Sequence, residues 1–487
     1  MSTRIRYCRL TGAGPIHLES PAVSVEVVIT PGIPRHTVVG LARGAVREAL
    51  DRIRGAVLSS GFQFPRGAIT INLAPADTQK EGSAFDLPIA LGILMADGQI
   101  PKPPDLAASW LTLGELALDG SIRPVSGVMV ALLSATRFGQ QNVVLPEGNL
   151  PESAAFPHLT VYAAPNLKQA AEVLRGVVEP RHVAPGSRTK AASAIPDFSG
   201  VIGQESMIRA LQVAAAGRHN VRMVGPPGCG KTFMARCFPG ILPPWSRTQA
   251  IETTCLHSLR KPGMDLMTTR PFRSPHHSVS AGGMLGGGTP IRPGEVSLAH
   301  HGVLFLDELP EFDRAVLEGL REPLEEGRVA ISRAGGVEVF PAGFQLIAAM
   351  NPCPCGMFGG ERNACRCSAK EVERYRGRVS RPILDRIDVH LSVPAVDPAL
   401  ALVQTAQSSR ELREAVRQSA ERLDGDPPVM ERAEDAVLIR AASSLHLSMR
   451  ALDRTRRICR SIAALDGTDR VNKAHVAEAL RYRESGH

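Results

Sequence analysis

Aromatic residues are scarce in this 487-residue chain: 4% of positions, with two Trp and four Tyr. Proteins that grip bare single strands stack bases on aromatic rings. This chain has few to offer, so any nucleic acid it binds is expected to be tracked along the backbone by Lys and Arg, with salt-dependent affinity. No stretch approaches the ~20 apolar residues needed to span a bilayer, so no membrane partner is expected. The first residues, Met1 to Arg6, lack the apolar core of a secretion signal, which makes a cytoplasmic location the expectation. Nine cysteines occur, but four sit together at 353–367. That is not the even spread of a secreted disulfide scaffold, so reduced thiols are expected.

What is present is a soluble globular composition, 44% hydrophobic and 21% charged. The chain is too long for one ordinary core, which implies two or three domains. Its net charge of +8 favours a polyanionic partner.

The stretch around which the chain is organised is Gly225-Pro226-Pro227-Gly228-Cys229-Gly230-Lys231-Thr232. It fits G-x-x-x-x-G-K-[ST], the phosphate-binding loop of nucleotide hydrolases. Apolar Val221 to Val224 precede it as a short buried strand, and Phe233 to Arg236 continue as a helix. In that context the glycines turn backbone N–H groups toward phosphate oxygens, and the helix N-terminus adds its positive dipole end. Lys231 reaches the β/γ-phosphates of ATP, and the Thr232 hydroxyl binds Mg²⁺.

Two further apolar strands end in polar residues. Val303 to Leu306 deliver Asp307 and Glu308; Asp307 suits a water-mediated Mg²⁺ contact, and Glu308 can polarise the attacking water. Phe344 to Met350 deliver Asn351, which can bond the γ-phosphate or orient the water; a structural Asn closing a turn before Pro352 is the alternative.

The amino-terminal part reads as an α/β domain. Val23 to Ile29 and Ala68 to Leu73 alternate as strands. Val46, Leu50, Ile53 and Val57 form one helical stripe. Asp86-Leu87-Pro88 opens a second helix, with Asp86 as N-cap. Between them, Lys80-Glu81-Gly82-Ser83-Ala84 is where a family resemblance first appears. The region is similar to the amino-terminal domain of the ComM/YifB family of magnesium-chelatase-like AAA+ ATPases, itself similar to the catalytic domain of Lon proteases. Lon proteases carry their serine in a Lys-Asp-Gly-Pro-Ser-Ala-Gly run. Here Ser83 stands one place early, so an inherited folding module or DNA-contacting platform is preferred to a peptidase.

The resemblance extends through the rest of the chain. Asp197 to Gln204 resembles the entry to an AAA+ module, which places Ile202 and Gly203 near adenine. Asn351 falls at the sensor-1 position. Arg378 to Asp388 is similar to the segment carrying the arginine finger, which implies Arg386 as the finger, with Arg381 competing. Arg450 matches the sensor-2 arginine of a helical lid, reaching ATP in its own subunit. Arg450, Arg454 and Arg457 recur on one helical face behind Ser448 as N-cap, with Leu452, Cys459 and Ile462 on another. Gly327 to Val337 reads as a hairpin, and insertions there project into the pore of related ring motors. Cys353-Pro354-Cys355 and Cys365-Arg366-Cys367 can complete a tetrahedral Zn²⁺ site. Adjacent His276-His277 are not read as metal ligands, because neighbouring side chains of an extended segment diverge.

The expected organisation is therefore a Lon-like α/β domain over 1–176, a linker over 177–196, an AAA+ P-loop core over 197–395 and a helical lid over 396–487. The resemblance implies a homo-oligomeric ring, a hexamer, using ATP and Mg²⁺ to drive branch migration on DNA during natural transformation. The alternatives are a magnesium chelatase motor subunit and an ATP-dependent Lon-like protease.

Overall fold

The computed structural model describes residues 5–13, 22–40, 44–75, 82–181, 195–288, 291–333, 336–359, 365–395, 407–445 and 447–484. The first unit is a mixed seven-stranded sheet. Its strands are β1 (Arg6–Gly12), β2 (Val23–Thr30), β3 (Arg35–Val39), β4 (Ala68–Ala74), β5 (Trp110–Thr112), β6 (Asn142–Pro146) and β7 (Thr160–Ala164), in the order β3-β4-β2-β1-β5-β6-β7. Strict alternation sets the register: Val23, Val25, Val27 and Ile29 of β2 are all buried, and a one-residue slip would turn them to solvent. Val27 lies opposite Cys8 and Ile71 in antiparallel pairs.

Four helices cover this sheet: α1 (Gly44–Ser59), α2 (Asp86–Asp97), α3 (Val128–Arg137) and α4 (Leu167–Leu174). Residues 86–96 of α2 are buried all round, as a helix without a polar face must be. The expected N-cap does not form. Phe85 holds that position, and Asp86 turns inward, accepting from Arg52 Nε at 3.0 Å and Nη2 at 3.2 Å and from the Leu116 N–H at 3.3 Å. A short 3-10 turn over Ser83–Phe85 shifts the helix start, and a buried carboxylate takes a cation in preference to its own helix end.

The second unit holds five parallel strands. In chain order they are β8 (Val221–Val224), β9 (Phe272–Arg273), β10 (Val303–Leu306), β13 (Gln345–Met350) and β14 (Val389–Ser392); the hairpin β11 (Arg328–Arg333) and β12 (Gly336–Pro341) stands apart. The sheet order is β9-β10-β13-β8-β14, with every pair parallel. Every residue of β10 and β13 is buried, because helices cover both faces of a parallel sheet. These include α5 (Glu205–Gly217), α6 (Lys231–Cys237) and α7 (Arg247–Ser258). Next come α8 (Arg321–Glu326) and α9 (Ala369–Arg376).

Helices α10 (Ser409–Gly425), α11 (Arg432–Ser444), α12 (Met449–Leu465) and α13 (Lys473–Glu484) form the carboxy-terminal bundle. Ser448 caps α12 by accepting from the Ala451 N–H at 3.2 Å. Leu452, Cys459 and Ile462 are buried in the core shared with β8 and β14. No helix among the described residues is long and apolar enough to cross a membrane.

The first and second units share a hydrophobic core, which no sequence pattern signals. Val128, Leu132 and Leu145 cluster with Cys255, Leu256, Leu304 and Leu306. The Gly127 N–H donates to the Ser258 carbonyl at 2.8 Å, and Arg247 Nη2 donates to the Ala155 carbonyl at 2.8 Å. Of the expected linker, residues 182–194 lie outside the described ones; α4 ends at Leu174 and the next element opens at Phe198.

Candidate nucleotide site

Parallel pairing brings the carboxyl ends of β8, β10 and β13 to one edge, where open α/β sheets bind ligands. The phosphate loop leaves β8, Asp307 and Glu308 leave β10, and Asn351 leaves β13. The loop needs its glycines. Gly228 and Gly230 hold φ of +77° and +90°, and a Cβ on Gly225 would lie 2.4 Å from the Val393 carbonyl oxygen.

Lys231, nearly buried, donates from Nζ to the carbonyls of Gly225 (2.7 Å) and Pro226 (2.8 Å) and to Asn351 Oδ1 (3.3 Å). Thr232 Oγ1 donates to Asp307 Oδ2 at 2.8 Å, so the two groups expected around Mg²⁺ already meet. The Glu308 N–H donates to Asp307 Oδ1 at 3.0 Å. Glu308 itself has φ +53°, a left-handed conformation that non-glycine residues seldom hold outside functional sites. Its exposed carboxylate therefore stands clear of the strand end. A cation, a hydroxyl–carboxylate pair, an exposed acid and an amide converge, which is the donor set that ATP·Mg²⁺ requires.

Arg386 and Arg450 do not lie with Lys231. Arg386 is buried and donates from Nη1 to the Pro382 carbonyl at 2.7 Å, while Nη2 sits 2.7 Å from Glu325 Oε2 on α8. Arg450 Nη1 contacts Glu325 Oε1 at 2.9 Å. Arg381 is exposed at the start of a one-turn helix. On the same face of α12, Arg454 pairs with Asp388 at 3.2 Å, whereas Arg457 is exposed. Glu325 was invisible in the sequence, being one acid in an acidic helix whose partners lie 61 and 125 positions away.

The four cysteines gather beside Asn351. Sulfur separations are 3.3 Å for Cys353–Cys355, 3.7 Å for Cys353–Cys365 and 3.6 Å for Cys355–Cys365, and Cys367 completes the group. Tetrahedral Zn²⁺ with Zn–S bonds of ~2.3 Å places sulfurs about 3.8 Å apart, so the residues fit the ion. All four are free thiols. The backbone N–H groups of Met357 and then Arg366 pull Cys355 down to about 6, which favours the thiolate that binds metal.

A second group, Glu252 with His300 and His301, does not fit a metal as well. His300 Nδ1 accepts from the Gly343 N–H at 3.0 Å, which leaves its proton on Nε2, the atom that faces Glu252 at 3.8 Å. His276 and His277 differ from expectation: the chain turns there, and their rings pack with centroids 4.1 Å apart. Lys80 lies outside the described residues. Ser83 Oγ donates to the Glu115 carboxylate, a partner that does not activate a serine as a neutral lysine does.

Comparison with known proteins fits this architecture. Residues 197–400 match the model of "Magnesium chelatase, subunit ChlI", residues 25–149 that of "Subunit ChlI of Mg-chelatase", and residues 398–483 its C-terminal model. The chain is 39% identical over 517 residues to competence protein ComM of Haemophilus influenzae, covering 99% of this chain and 98% of that one. It is 40% identical over 487 residues to the uncharacterized protein YifB of Salmonella typhimurium, covering 96% and 95%. A weaker likeness, 26% over 172 residues, relates 34% of this chain to 20% of the Lon protease of Rhizobium meliloti. The chain belongs to the ComM/YifB family of magnesium-chelatase-like AAA+ proteins.

Proposed function

We propose that this protein is the subunit of an ATP-hydrolysing homo-oligomeric ring, a hexamer, that moves on DNA as a branch-migration helicase and promotes recombination of incoming DNA in natural transformation. The observation that carries the hydrolytic part is the convergence of Lys231, the Thr232–Asp307 pair, Glu308 and Asn351 at one edge of a parallel sheet. Lys231 and the loop N–H groups hold the phosphates. Thr232 would bind Mg²⁺, and Asp307 would contact it through water. Glu308 activates the attacking water, and Asn351 orients it. Arg386 supplies positive charge to the nucleotide of an adjoining subunit, and Arg450 reaches from the helical lid to the nucleotide of its own.

The DNA part draws on the competence name of the Haemophilus relative and on the net charge of +8. The hairpin β11–β12 is the element assigned to the pore, with Arg328 and Arg333 meeting phosphates. Zn²⁺ held by Cys353, Cys355, Cys365 and Cys367 braces the loop after Asn351, and the protein works in the cytoplasm.

The test is steady-state ATPase activity with and without duplex, forked, single-stranded and four-way-junction DNA across salt concentration. Stimulation that fades with salt, together with junction migration, is expected. Robust turnover indifferent to every DNA overturns the DNA motor and moves weight to the chelatase and protease readings, tested by porphyrin metallation and casein degradation.

A further inference from the structure

The cysteine loop and the phosphate loop are neighbours in space as well as in topology. They leave adjacent parallel strands, and the Gly225 N–H donates to the Met350 carbonyl at 3.3 Å where the strands end. Asn351 then takes the Lys231 ammonium at 3.3 Å. Five residues later the chain comes back to the phosphate loop. Gly356 holds φ +78°, and a Cβ there would sit 2.5 Å from Pro227 Cδ and 2.8 Å from Cγ. The backbone at Gly356 therefore lies directly on Pro227.

The far limb of the cysteine loop is anchored to the same place. Ser368 caps α9 by accepting from the Glu371 N–H at 3.3 Å. At the other end of α9, Arg376 Nε donates to the Pro352 carbonyl at 3.2 Å, and its guanidinium lies over the Phe358 ring at 5.1 Å. Residues 351–359 and 365–376 are thus held to each other at both ends. Their base is pinned by α9, their waist is the four thiols, and Gly356 between the cysteine pairs presses on the nucleotide loop.

We propose that zinc in the four-cysteine site and nucleotide in the phosphate loop bind cooperatively, through the Gly356–Pro227 contact and the Asn351–Lys231 hydrogen bond. The inference rests on the zinc and ATP readings above. Zinc joins Cys353 and Cys355 to Cys365 and Cys367, and so fixes the limb carrying Gly356. Nucleotide fixes Pro227 and Lys231. Each ligand orders a surface that the other also needs ordered, so the second to arrive meets a smaller entropy cost. Linkage makes the effect reciprocal: the factor by which nucleotide tightens zinc equals the factor by which zinc tightens nucleotide.

The experiment uses the full-length chain and Zn²⁺ as the probe, titrated against a zinc-selective chromogenic chelator with and without a Mg²⁺-bound non-hydrolysable ATP analogue. Zinc affinity is expected to rise about five-fold or more with nucleotide. A fluorescent analogue should bind the zinc-stripped chain more weakly by the same factor. One zinc per chain with an affinity indifferent to saturating nucleotide overturns the coupling while leaving both sites standing. Absence of bound zinc, or a zinc content unchanged in Cys365→Ser/Cys367→Ser, overturns the metal reading and the coupling with it. Failure of the ATP reading is seen separately, as nucleotide binding unchanged in Lys231→Ala. Gly356→Ala keeps all four thiols; it should retain one zinc per chain and bring the coupling factor toward one. Full coupling in that variant overturns the route through Pro227.

Discussion

Arg386 and Arg450 hold the two oxygens of one carboxylate, Glu325, at 2.7 and 2.9 Å. Arg386 first, and then Arg450, keeps that carboxyl below the usual range. The side chain of Arg386 is 6% exposed and that of Arg450 73%, so the pair presents one sheltered and one open guanidinium from a single anchor. Arg450 shares this anchor with Arg386, while the family pattern sends Arg450 to the nucleotide of its own subunit. Arg386→Ala should leave nucleotide affinity near normal and lower kcat about 10³-fold, the scale of a lost arginine finger. Arg450→Ala should fall in the same direction, and the double variant should lose less than the product of the two, because residues acting as a unit are non-additive. Mixed rings of Arg386→Ala and Lys231→Ala subunits should recover some turnover. No recovery in confirmed mixed rings counts against action in trans. A larger loss in Arg381→Ala than in Arg386→Ala moves the finger to the exposed arginine.

Glu308 offers a cleaner separation of binding from chemistry. Its left-handed backbone and its N–H bond to Asp307 set it beside the Thr232–Asp307 pair without making it part of that pair. Glu308→Gln is therefore expected to bind ATP normally and to hydrolyse it at least ~10²-fold more slowly, the scale of a lost general base. Lys231→Ala should instead lose nucleotide binding. Both follow from a fluorescent-nucleotide titration beside steady-state turnover; normal turnover in Glu308→Gln removes it as the base.

Local signals carried the nucleotide site. The glycine loop, the two acids after Leu306 and Asn351 after Met350 are each written within a few residues, and parallel strand pairing needs only to bring three strand ends together. Ser448 as a cap was legible for the same reason. Asp86 was misread because its partner Arg52 lies 34 residues away, beyond any local rule. Glu325, the contact of Gly356 with Pro227, and the core shared by α3 and α7 were illegible on the same ground: they depend on how separate elements pack. The pairing of Arg454 with Asp388 was illegible too, because the two lie 66 positions apart.

Ser83 supplies a test of the Lon likeness. Its hydroxyl donates to Glu115, and Glu115 also faces Arg123 at 3.6 Å across a short antiparallel ladder, so Ser83 sits against an ion pair. Ser83→Ala should leave ATP turnover within two-fold or so and cost stability on the order of 1 kcal/mol, as for one lost hydrogen bond. Casein incubated with the wild-type chain and ATP should stay intact. Degradation that disappears in Ser83→Ala would restore the protease alternative.

Glu152 makes the joint between the two α/β units sensitive to pH. It is fully buried, and burial pushes its carboxyl up to about 8 against the opposing pull of Asn149 and the backbone N–H groups of Met264 and Gly263. Asn149 Nδ2 donates to it at 2.7 Å while bonding both the N–H and the carbonyl of Val125 at 2.9 Å. Met264 and Gly263 belong to the loop after α7, so the acid sits where the first unit meets the second. A carboxyl whose folded value exceeds its unfolded value near 4.3 holds an extra proton in the folded state between the two. Stability from this group is thus fully present below about 4.3 and is lost as pH rises toward about 8, with a slope of up to about 1.4 kcal/mol per pH unit. Histidines titrate in the same window, so the measurement is a difference: Tm against pH for the wild-type chain and for Glu152→Gln, which keeps an acceptor for Asn149 and has no proton to lose. The wild-type curve should fall relative to the variant between pH 5 and 8 (a range set by these two values) and run parallel to it above. Curves parallel throughout would mean that Glu152 is charged in the folded protein and that its buried position is compensated by the loop at Gly263.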